Sequence, residues 1–383
     1  MKQMLVIGGT SRHMQRWLKY VVPEISYDIQ VDFYCVADNI ISTDCVNRVY
    51  SAKNLSFLWK VFSFLPGVKG HLKNKNNINT LKHLILSEKY SIINIHQPAA
   101  WLLPFVQFAK KKGITIIVSP WGSEVLRCPV SSQNRIAGIF QFADYITCYI
   151  KRFKEDLIQL YHIEPTKFVS VGFGSEVFDL IPIMKGKETK EEMAEILKVP
   201  AGDYYIACGY TAQRAQRHLQ MVEAIGENKD LLPNNTILLF QFTYGNNKDK
   251  SYYDEISALC DSYGLKYHFV TDYLSNEDMA RFRLLTDLFI HIQPTDAGNA
   301  SLQEFLLAGT QCINGKWLSY PLLEFDGMPY HICETLDDLS LVMKKILNKE
   351  LPDTLLSNTV INSILDSSWS SQRKRWASFL RSI

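Results

Sequence analysis

One feature constrains this chain more than any other. Short apolar, β-branched runs alternate with longer stretches of helical period along its whole length. In the first half the runs are MLVIG (4–8), IQVDFYCV (29–36), SIINIH (91–96), TIIVSP (115–120), YITCYI (145–150) and FVSVGF (168–173). Segments such as LPFVQFAKKKG and RFKEDLIQLYH lie between them. Continuous apolar runs of strand length predict strands buried on both faces, and helices between them predict a parallel sheet covered on both sides.

The alternation stops at the polar stretch MKGKETKEE (184–192) and then restarts. The second set of runs is DYYIACGY (203–210), TILLFQFTYG (236–245), YHFVTDY (267–273), LFIHIQP (288–294), TQCING (310–315) and YHICE (330–334). A chain of 383 residues is also too long for one ordinary core. The expectation is therefore α/β, with two Rossmann-like domains facing across a cleft. Residues 1–175 form the first domain, 176–192 a linker and 193–365 the second domain. Residues 366–383 (SSWSSQRKRWASFLRSI from 367) are read as a C-terminal helix with Trp369, Trp376 and Phe379 on its apolar side.

Composition excludes several classes. With 47% hydrophobic and 21% charged residues the chain is globular, and a formal charge of +2 gives no field that would select nucleic acid. The eight cysteines are scattered, with no CxxC pair or zinc-ligand spacing. They read as small core residues in a reducing compartment, and no metal is expected. The first apolar run ends at Gly8-Gly9 and is followed by Arg12, His13 and Arg16, which does not suit a secretion signal. No run approaches the ~20 apolar residues of a membrane span. A cytoplasmic location is expected, with contact at the inner face of the membrane left open.

In open parallel sheets ligands bind beyond the carboxyl ends of the strands, so the strand-end loops are the places to search. GGTSRH (8–13) offers Gly9 and Thr10 before a helix, a setting that suits an anion but is common in any α/β domain. It lacks the GxGxxG fingerprint of dinucleotide binding. INIHQP (93–98) ends a strand at His96, and a lone histidine is more often a satisfied core residue than a functional one. SPWGSEVL (119–126) brings Trp121, Gly122, Ser123 and Glu124: an aromatic and a carboxylate that suit a sugar, or else a capped helix start. GYTAQRAQRHLQMVEAI (209–225) places Gly209, Thr211, Arg214 and Arg217 at a glycine turn before a helix. Two guanidiniums there read as a metal-free diphosphate clamp or as a solvated basic face. QPTDAGNASLQEFLLAGTQCING (293–315) carries Asp296, then Gly298, Asn299, Ala300 and Ser301 opening a helix that bears Glu304. The backbone of that turn suits a diphosphate, Glu304 a ribose hydroxyl and Asp296 a sugar hydroxyl. Ordinary helix capping by Asn299 or Ser301 is the plainer alternative.

These residues resemble a family. Asp296 and Glu304 stand eight positions apart, which is similar to the E-x7-E motif of retaining GT-B glycosyltransferases, notably glycosyltransferase family 4. INIHQP resembles that family's strand ending in histidine. ADYITCYIKRFKEDLIQLYHIEPTKFVSVGFGSEVF resembles its V-x-x-G-V-D segment, with Gly174 and Glu176 for the usual Gly and Asp. Arg217 falls near the family's phosphate-binding Lys, and Arg214 near its companion Arg. The sequence departs where the first Glu is Asp, where the loop lacks the usual E-G-F-G glycines, and at Trp121. GYTAQRAQRHLQMVEAI, FQFTYGNN and NASLQEFLLAG also resemble the inverting 4-acetamidofucose transferases of enterobacterial common antigen.

The resemblance implies the GT-B fold, with the C-terminal helix crossing back to the first domain and a hinge around 174–190. It implies transfer of a sugar from a nucleotide-diphosphate sugar, the co-substrate, to a glycan or lipid-linked acceptor hydroxyl, without a cofactor or metal. That activity would serve bacterial surface polysaccharide synthesis. Arg214, Arg217 and the helix N-terminus would meet the leaving diphosphate, with Gly9, Thr10, Gly209 and Thr211 beside the donor. Asp296 would position the donor sugar and Glu304 the ribose. His96, Trp121, Gly122, Ser123 and Glu124 would line the acceptor side. An inverting transferase and a sugar-nucleotide epimerase are the rival expectations. SFLWKVFSFLPGVKGHLKNKNN (56–77), with Lys60, Lys69, Lys73 and Lys75, is either a peripheral membrane contact or a core helix followed by a basic loop.

Overall fold

The structure, a computed structural model, describes residues 1–37, 44–51, 68–245, 249–296, 300–320, 323–324 and 326–383. The chain divides into two compact units, Met1–Gly174 with Trp369–Ile383, and Ser175–Ser368. Both are α/β. Most of the stretch 56–77, and Gly298 and Asn299, lie outside the described residues.

The first unit holds β1 (Lys2–Gly8), β2 (Ile29–Cys35), β3 (Arg48–Ser51), β4 (Ile92–His96), β5 (Thr115–Ser119), β6 (Tyr145–Thr147) and β7 (Phe168–Val169). They form one sheet in the order β3-β2-β1-β4-β5-β6-β7, every pair parallel. Alternate residues of β1 feed opposite faces: Leu5 and Ile7 join one core, Met4 and Val6 the other. That double burial is why the strand reads as an unbroken apolar run. β3 is absent from the sequence expectation for the converse reason. It is the edge strand, with Arg48 exposed and Val49, Tyr50 and Ser51 only half-buried, so no apolar run marks it.

The second unit holds β8 (Tyr204–Cys208), β9 (Thr236–Gln241), β10 (Lys266–Val270), β11 (Leu288–His291), β12 (Gln311–Gly315) and β13 (His331–Cys333). Its sheet runs β10-β9-β8-β11-β12-β13, again parallel throughout. Tyr205 and Ala207 face one core, Ile206 and Cys208 the other.

The last helix, Trp369–Ser382, belongs to the first unit. Trp369, Trp376 and Leu380 are buried there, and the indoles of Trp17 and Trp376 meet edge to face at 5.3 Å. Trp376 Nε1 donates to the Gly172 carbonyl at 2.8 Å, and the Gly172 N–H donates to Gln372 Oε1 at 2.9 Å. Both backbone groups of one glycine are thus satisfied by the returning helix.

The segment 176–192, expected as a linker, lies inside the second unit. It folds as the helix Glu176–Met184 and the start of the helix Lys190–Leu197, the latter opened by a Thr189–Glu192 capping box. Val177, Phe178 and Ile181 enter the second unit's core. Its polar appearance comes from the short turn between two amphipathic helices. The chain passes between units at Gly174–Ser175 and returns at Ser368–Trp369, and the Ser175 N–H donates to the Ser367 carbonyl at 3.1 Å.

Candidate functional site

In each sheet the strand order reverses beside the first strand of the unit, between β1 and β4 in the first and between β8 and β11 in the second. Helices leaving adjacent strands in opposite directions open a crevice at the strands' carboxyl ends, the usual ligand site of such sheets. Each crevice collects residues that the sequence pattern singled out.

In the second unit β8 ends at a turn that requires glycine. Gly209 has φ +65°, and a Cβ there would lie 2.9 Å from Gln216 Oε1 and from His218 Nε2. Gln216 Oε1 accepts the Tyr210 N–H at 3.2 Å, and its amide donates to Gln293 Oε1 at 2.6 Å. Gln293 Nε2 in turn donates to Tyr210 Oη at 2.9 Å. Thr211 is buried and its hydroxyl accepts the Gln213 N–H at 3.3 Å, so its side chain shapes the turn. The helix His218–Glu227 follows at once.

The two arginines part company. Arg217 takes a left-handed conformation, φ 66°, at the head of that helix. Its guanidinium donates to the Ile292 carbonyl at 3.1 Å and lies 5.3 Å from the centre of the Trp317 ring. Trp317 Nε1 is fixed by the Gln293 carbonyl at 2.7 Å. Among the described residues Arg217 has no carboxylate partner, and most of its five N–H donors remain for a ligand anion beside the helix N-terminus. Arg214 does not join it. Its guanidinium forks onto Glu255 at 2.7 and 2.8 Å, reaches Asp249 at 3.3 Å and covers Tyr252 at 4.3 Å. The expected two-arginine clamp is therefore corrected to one arginine. The intervening turn, Arg214–Gln216, sends the first side chain to the helix Lys250–Tyr263 and the second to the end of β11.

Asp296 lies on the loop after β11. Tyr320 Oη donates to its Oδ2 at 2.7 Å, and His291 Nε2 stands 3.8 Å from the same oxygen. The Asn314 amide donates to the carbonyls of Gly315 and Leu318, so its oxygen accepts from His291 Nδ1 at 2.8 Å. Burial lowers the His291 pKa against the opposing pull of Asp296. The ring is thereby held as the neutral Nδ1–H tautomer behind the carboxylate. Tyr320 is pushed far above its ordinary pKa, first by burial and then by Asp296, and stays a donor at any working pH.

Glu304 is buried on the helix Ala300–Ala308. Its Oε2 accepts from Arg283 Nε at 3.1 Å and its Oε1 from Ser175 Oγ at 3.1 Å. Arg283, itself buried, also holds Gln241 Oε1 at 2.8 Å and Ser301 Oγ at 3.3 Å. The expected ribose acceptor is thus also the centre of an internal ion pair. A carboxylate accepts at about four positions, so two remain. His291, Asn314, Trp317 and Tyr320 were not singled out from sequence. One signal was available: all strands of a parallel sheet end on one edge, so the loop after β12 must arrive beside the loop after β11.

In the first unit a concavity of about 390 Å³ opens at the β1/β4 switch point. Gly9, His96, Gln97 and Glu124 line it together with an apolar wall. Gly9 and Thr10, expected beside the donor, are in this unit. Gly9 lines the concavity, and the Thr10 carbonyl accepts from Gln15 at 3.1 Å. His96 is buried, and desolvation drops its pKa to about 3. Trp121 Nε1 donates to His96 Nδ1 at 3.4 Å. The Asn94 side-chain nitrogen lies 3.1 Å from His96 Nε2, and its oxygen accepts the Ser119 hydroxyl at 2.9 Å. Trp17, Trp121, Phe173 and Trp376 surround the ring. His96 lines the pocket but is a neutral, packed histidine, with both nitrogens engaged.

Trp121 is half-buried, its ring 5.7 Å from His13 and 5.1 Å from Phe173. Gly122 has φ +132°, which only glycine adopts readily, and introduces the short helix Ser123–Leu126. Glu124 Oε1 accepts the Trp121 N–H at 2.5 Å. Its Oε2 is buried and has no hydrogen-bond partner among the described residues. The capping and ligand readings of this loop thus share one side chain: one oxygen caps and the other is unused.

No family model matches the sequence, and no curated protein matches it. Solved structures do. A glycosyltransferase from Rickettsia africae ESF-5 superposes with a TM-score of 0.68 at 12% identity, over 100% of this chain and 98% of that one. Alr3699/HepE from Anabaena, solved with UDP and glucose, gives 0.66 at 12% over the whole of both chains. UDP-GlcNAc 2-epimerase from Methanocaldococcus jannaschii gives 0.62 at 13%, also over both chains in full. Likeness at this identity speaks for architecture. With two parallel sheets, each reversing at its first strand, and a last helix returned to the first unit, the chain has the GT-B fold.

Proposed function

We propose that this protein transfers a sugar from a nucleoside-diphosphate donor to an acceptor hydroxyl. The observation that carries the reading is Arg217, held at the head of a helix at the β8/β11 switch point with no carboxylate among the described residues to neutralise it. The leaving diphosphate acquires charge as the glycosidic bond breaks. A preorganised guanidinium and helix N-terminus stabilise that charge without reorganising, and this is the basis for reading the reaction as metal-independent. Asp296, fixed by Tyr320, orients a donor-sugar hydroxyl. Glu304 offers its remaining lone pairs to the ribose. Retention of anomeric configuration follows from the Asp296–Glu304 spacing and its resemblance to the retaining family. The acceptor belongs to the first unit, at the pocket that holds Glu124, and a glycan on a lipid carrier of a surface polysaccharide fits it.

Similarity to a 2-epimerase supports a second reading, isomerisation of the nucleotide sugar alone. The separate pocket of the first unit favours transfer, because an epimerase needs no acceptor site. A thermal-shift panel of UDP, GDP, dTDP and CMP in excess EDTA tests the proposal. A ligand that binds only the native state raises Tm, by an amount equivalent to about 2.7 kcal/mol at one hundred times its Kd. One diphosphate is expected to stabilise the chain; a flat panel contradicts the reading.

A further inference from the structure

Two tyrosines flank His291 at the carboxyl end of β11. The rings of Tyr210 and Tyr320 stand 6.0 and 6.2 Å from the imidazole. Tyr320 Oη donates its proton to Asp296 Oδ2 at 2.7 Å. Tyr210 Oη is held differently, and one backbone group fixes the polarity of its bond. The Tyr210 N–H can only donate, so the Gln216 atom 3.2 Å from it is the oxygen. The Gln216 nitrogen therefore donates to the Gln293 oxygen at 2.6 Å. The Gln293 nitrogen in turn donates to Tyr210 Oη at 2.9 Å. Both glutamines are buried, whereas Tyr210 is half-buried. The phenol oxygen is thus used as an acceptor, and its own O–H has no acceptor among the described residues. Burial, and after it the charge of Asp296, raise the Tyr210 pKa to about 12, so the proton stays on. The carboxylate is near enough to act on the phenol and is not bonded to it, a gap of the kind that one hydroxyl bridges.

We propose that Tyr210 determines specificity for the donor sugar, acting with Asp296 on one free hydroxyl of it. That hydroxyl donates to the Asp296 carboxylate and accepts from Tyr210 Oη. Only a group that gives and takes a hydrogen bond at one atom satisfies both. A deoxy position does neither, a fluorine or an ether oxygen cannot donate, and an amide nitrogen cannot accept. The substrate class is therefore a nucleotide sugar with an unsubstituted hydroxyl at this position, and the diphosphate is left to Arg217. The proposal rests on the donor reading of the second unit and deepens it.

Calorimetric titration of the full chain in EDTA tests this. The probes are UDP, GDP and dTDP and, for the base that binds, UDP-glucose, GDP-mannose or dTDP-glucose with its monodeoxy analogues. Tyr210→Phe removes the O–H and keeps the ring. It is expected to weaken the nucleotide sugar about tenfold, the contribution of one hydrogen bond, and to leave the Kd of the free diphosphate within about twofold. Unchanged diphosphate binding also shows that the variant is folded. In the wild type one monodeoxy analogue is expected to bind at least about tenfold more weakly than its parent. Its penalty, alone among the analogues, should shrink in Tyr210→Phe, because the two changes remove one interaction. Equal losses for diphosphate and nucleotide sugar would assign Tyr210 to the phosphates. Unchanged affinity for both, or no analogue whose penalty shrinks, would mean that water alone joins Tyr210 to Asp296. Each of these outcomes overturns the proposal and leaves the donor reading standing. The analogue series in the wild type needs no variant: if every analogue binds like its parent, no hydroxyl is read here and the proposal falls. Binding of none of the three diphosphates by the wild type removes the donor reading, and this proposal with it.

Discussion

Arg214 and Arg217 carry the same charge three residues apart, and their surroundings give them different chemistry. Arg214 is neutralised by Glu255 and Asp249, an exposed network of the kind that contributes little to stability. Among the described residues Arg217 gives one donor to a carbonyl and has no carboxylate partner. Arg217→Ala is therefore expected to weaken nucleoside-diphosphate binding by ten- to a hundredfold, the range of a charge-assisted contact of about 1.5–3 kcal/mol. Arg214→Ala should leave the Kd within about twofold. Calorimetric titration of the two variants checks this, and a reversed ranking would assign the phosphates to the wrong arginine. The same scale governs pH. Burial drops His96 and His218 to about 3, against about 6.5 in the unfolded chain. Between those values the unfolded chain binds protons that the native state refuses, so stability is fully present above pH 6.5 and falls as the pH drops. The slope approaches 1.4 kcal/mol per pH unit for each ring, about one pKa unit's worth. Urea midpoints from pH 7 to 5 should show the decline, and His96→Gln should flatten it. An unchanged slope in that variant would mean His96 titrates normally.

Strands and helices were legible where burial is complete and obscure where it is partial. β1 and β8 feed cores on both faces, and a strand so buried has no choice but an apolar run. β3 packs on one side at an edge and leaves no such mark. The stretch 176–192 shows the opposite error, since two short amphipathic helices with a polar turn look like a linker until the burial of Phe178 and Ile181 is seen. At the candidate site, the glycine positions and strand-end polar residues read from the sequence lie at the carboxyl ends of the strands in both sheets. Direction was not legible: nothing in the local sequence says that Arg214 turns to Glu255 forty-one residues on, or that Tyr320 returns to Asp296. Those choices belong to tertiary packing. The last helix makes the element-scale prediction. Trp376 is 1% exposed and bonded to Gly172, so Trp376→Ala should cost about 3–5 kcal/mol and lower the melting transition of the first unit. Chemical denaturation with circular dichroism measures it, and a loss below about 1 kcal/mol would show that the helix is not integral to that core.

At the scale of the whole chain, two sheets of the same kind have been given different polar content. The second unit gathers an arginine, a helix N-terminus and a held carboxylate at its switch point, the features on which the proposed donor site rests. The first gathers an apolar wall, a neutral histidine and a glutamate. Among the described residues no helix is long and apolar enough to cross a membrane. In the proposed reading, a division of labour between units is what separates a transferase from an enzyme that isomerises its donor alone. The most direct test is therefore to incubate the full chain in EDTA with the nucleotide sugar whose diphosphate gives the largest Tm rise. Octyl β-glucoside and a lipid-linked glycan serve in turn as acceptors, and products are followed by mass spectrometry. The account predicts an acceptor heavier by one sugar residue, with an equal quantity of nucleoside diphosphate released, and neither product in Arg217→Ala. Conversion of the nucleotide sugar to an isomer without acceptor, or no turnover in EDTA that returns on adding a divalent metal, would contradict it.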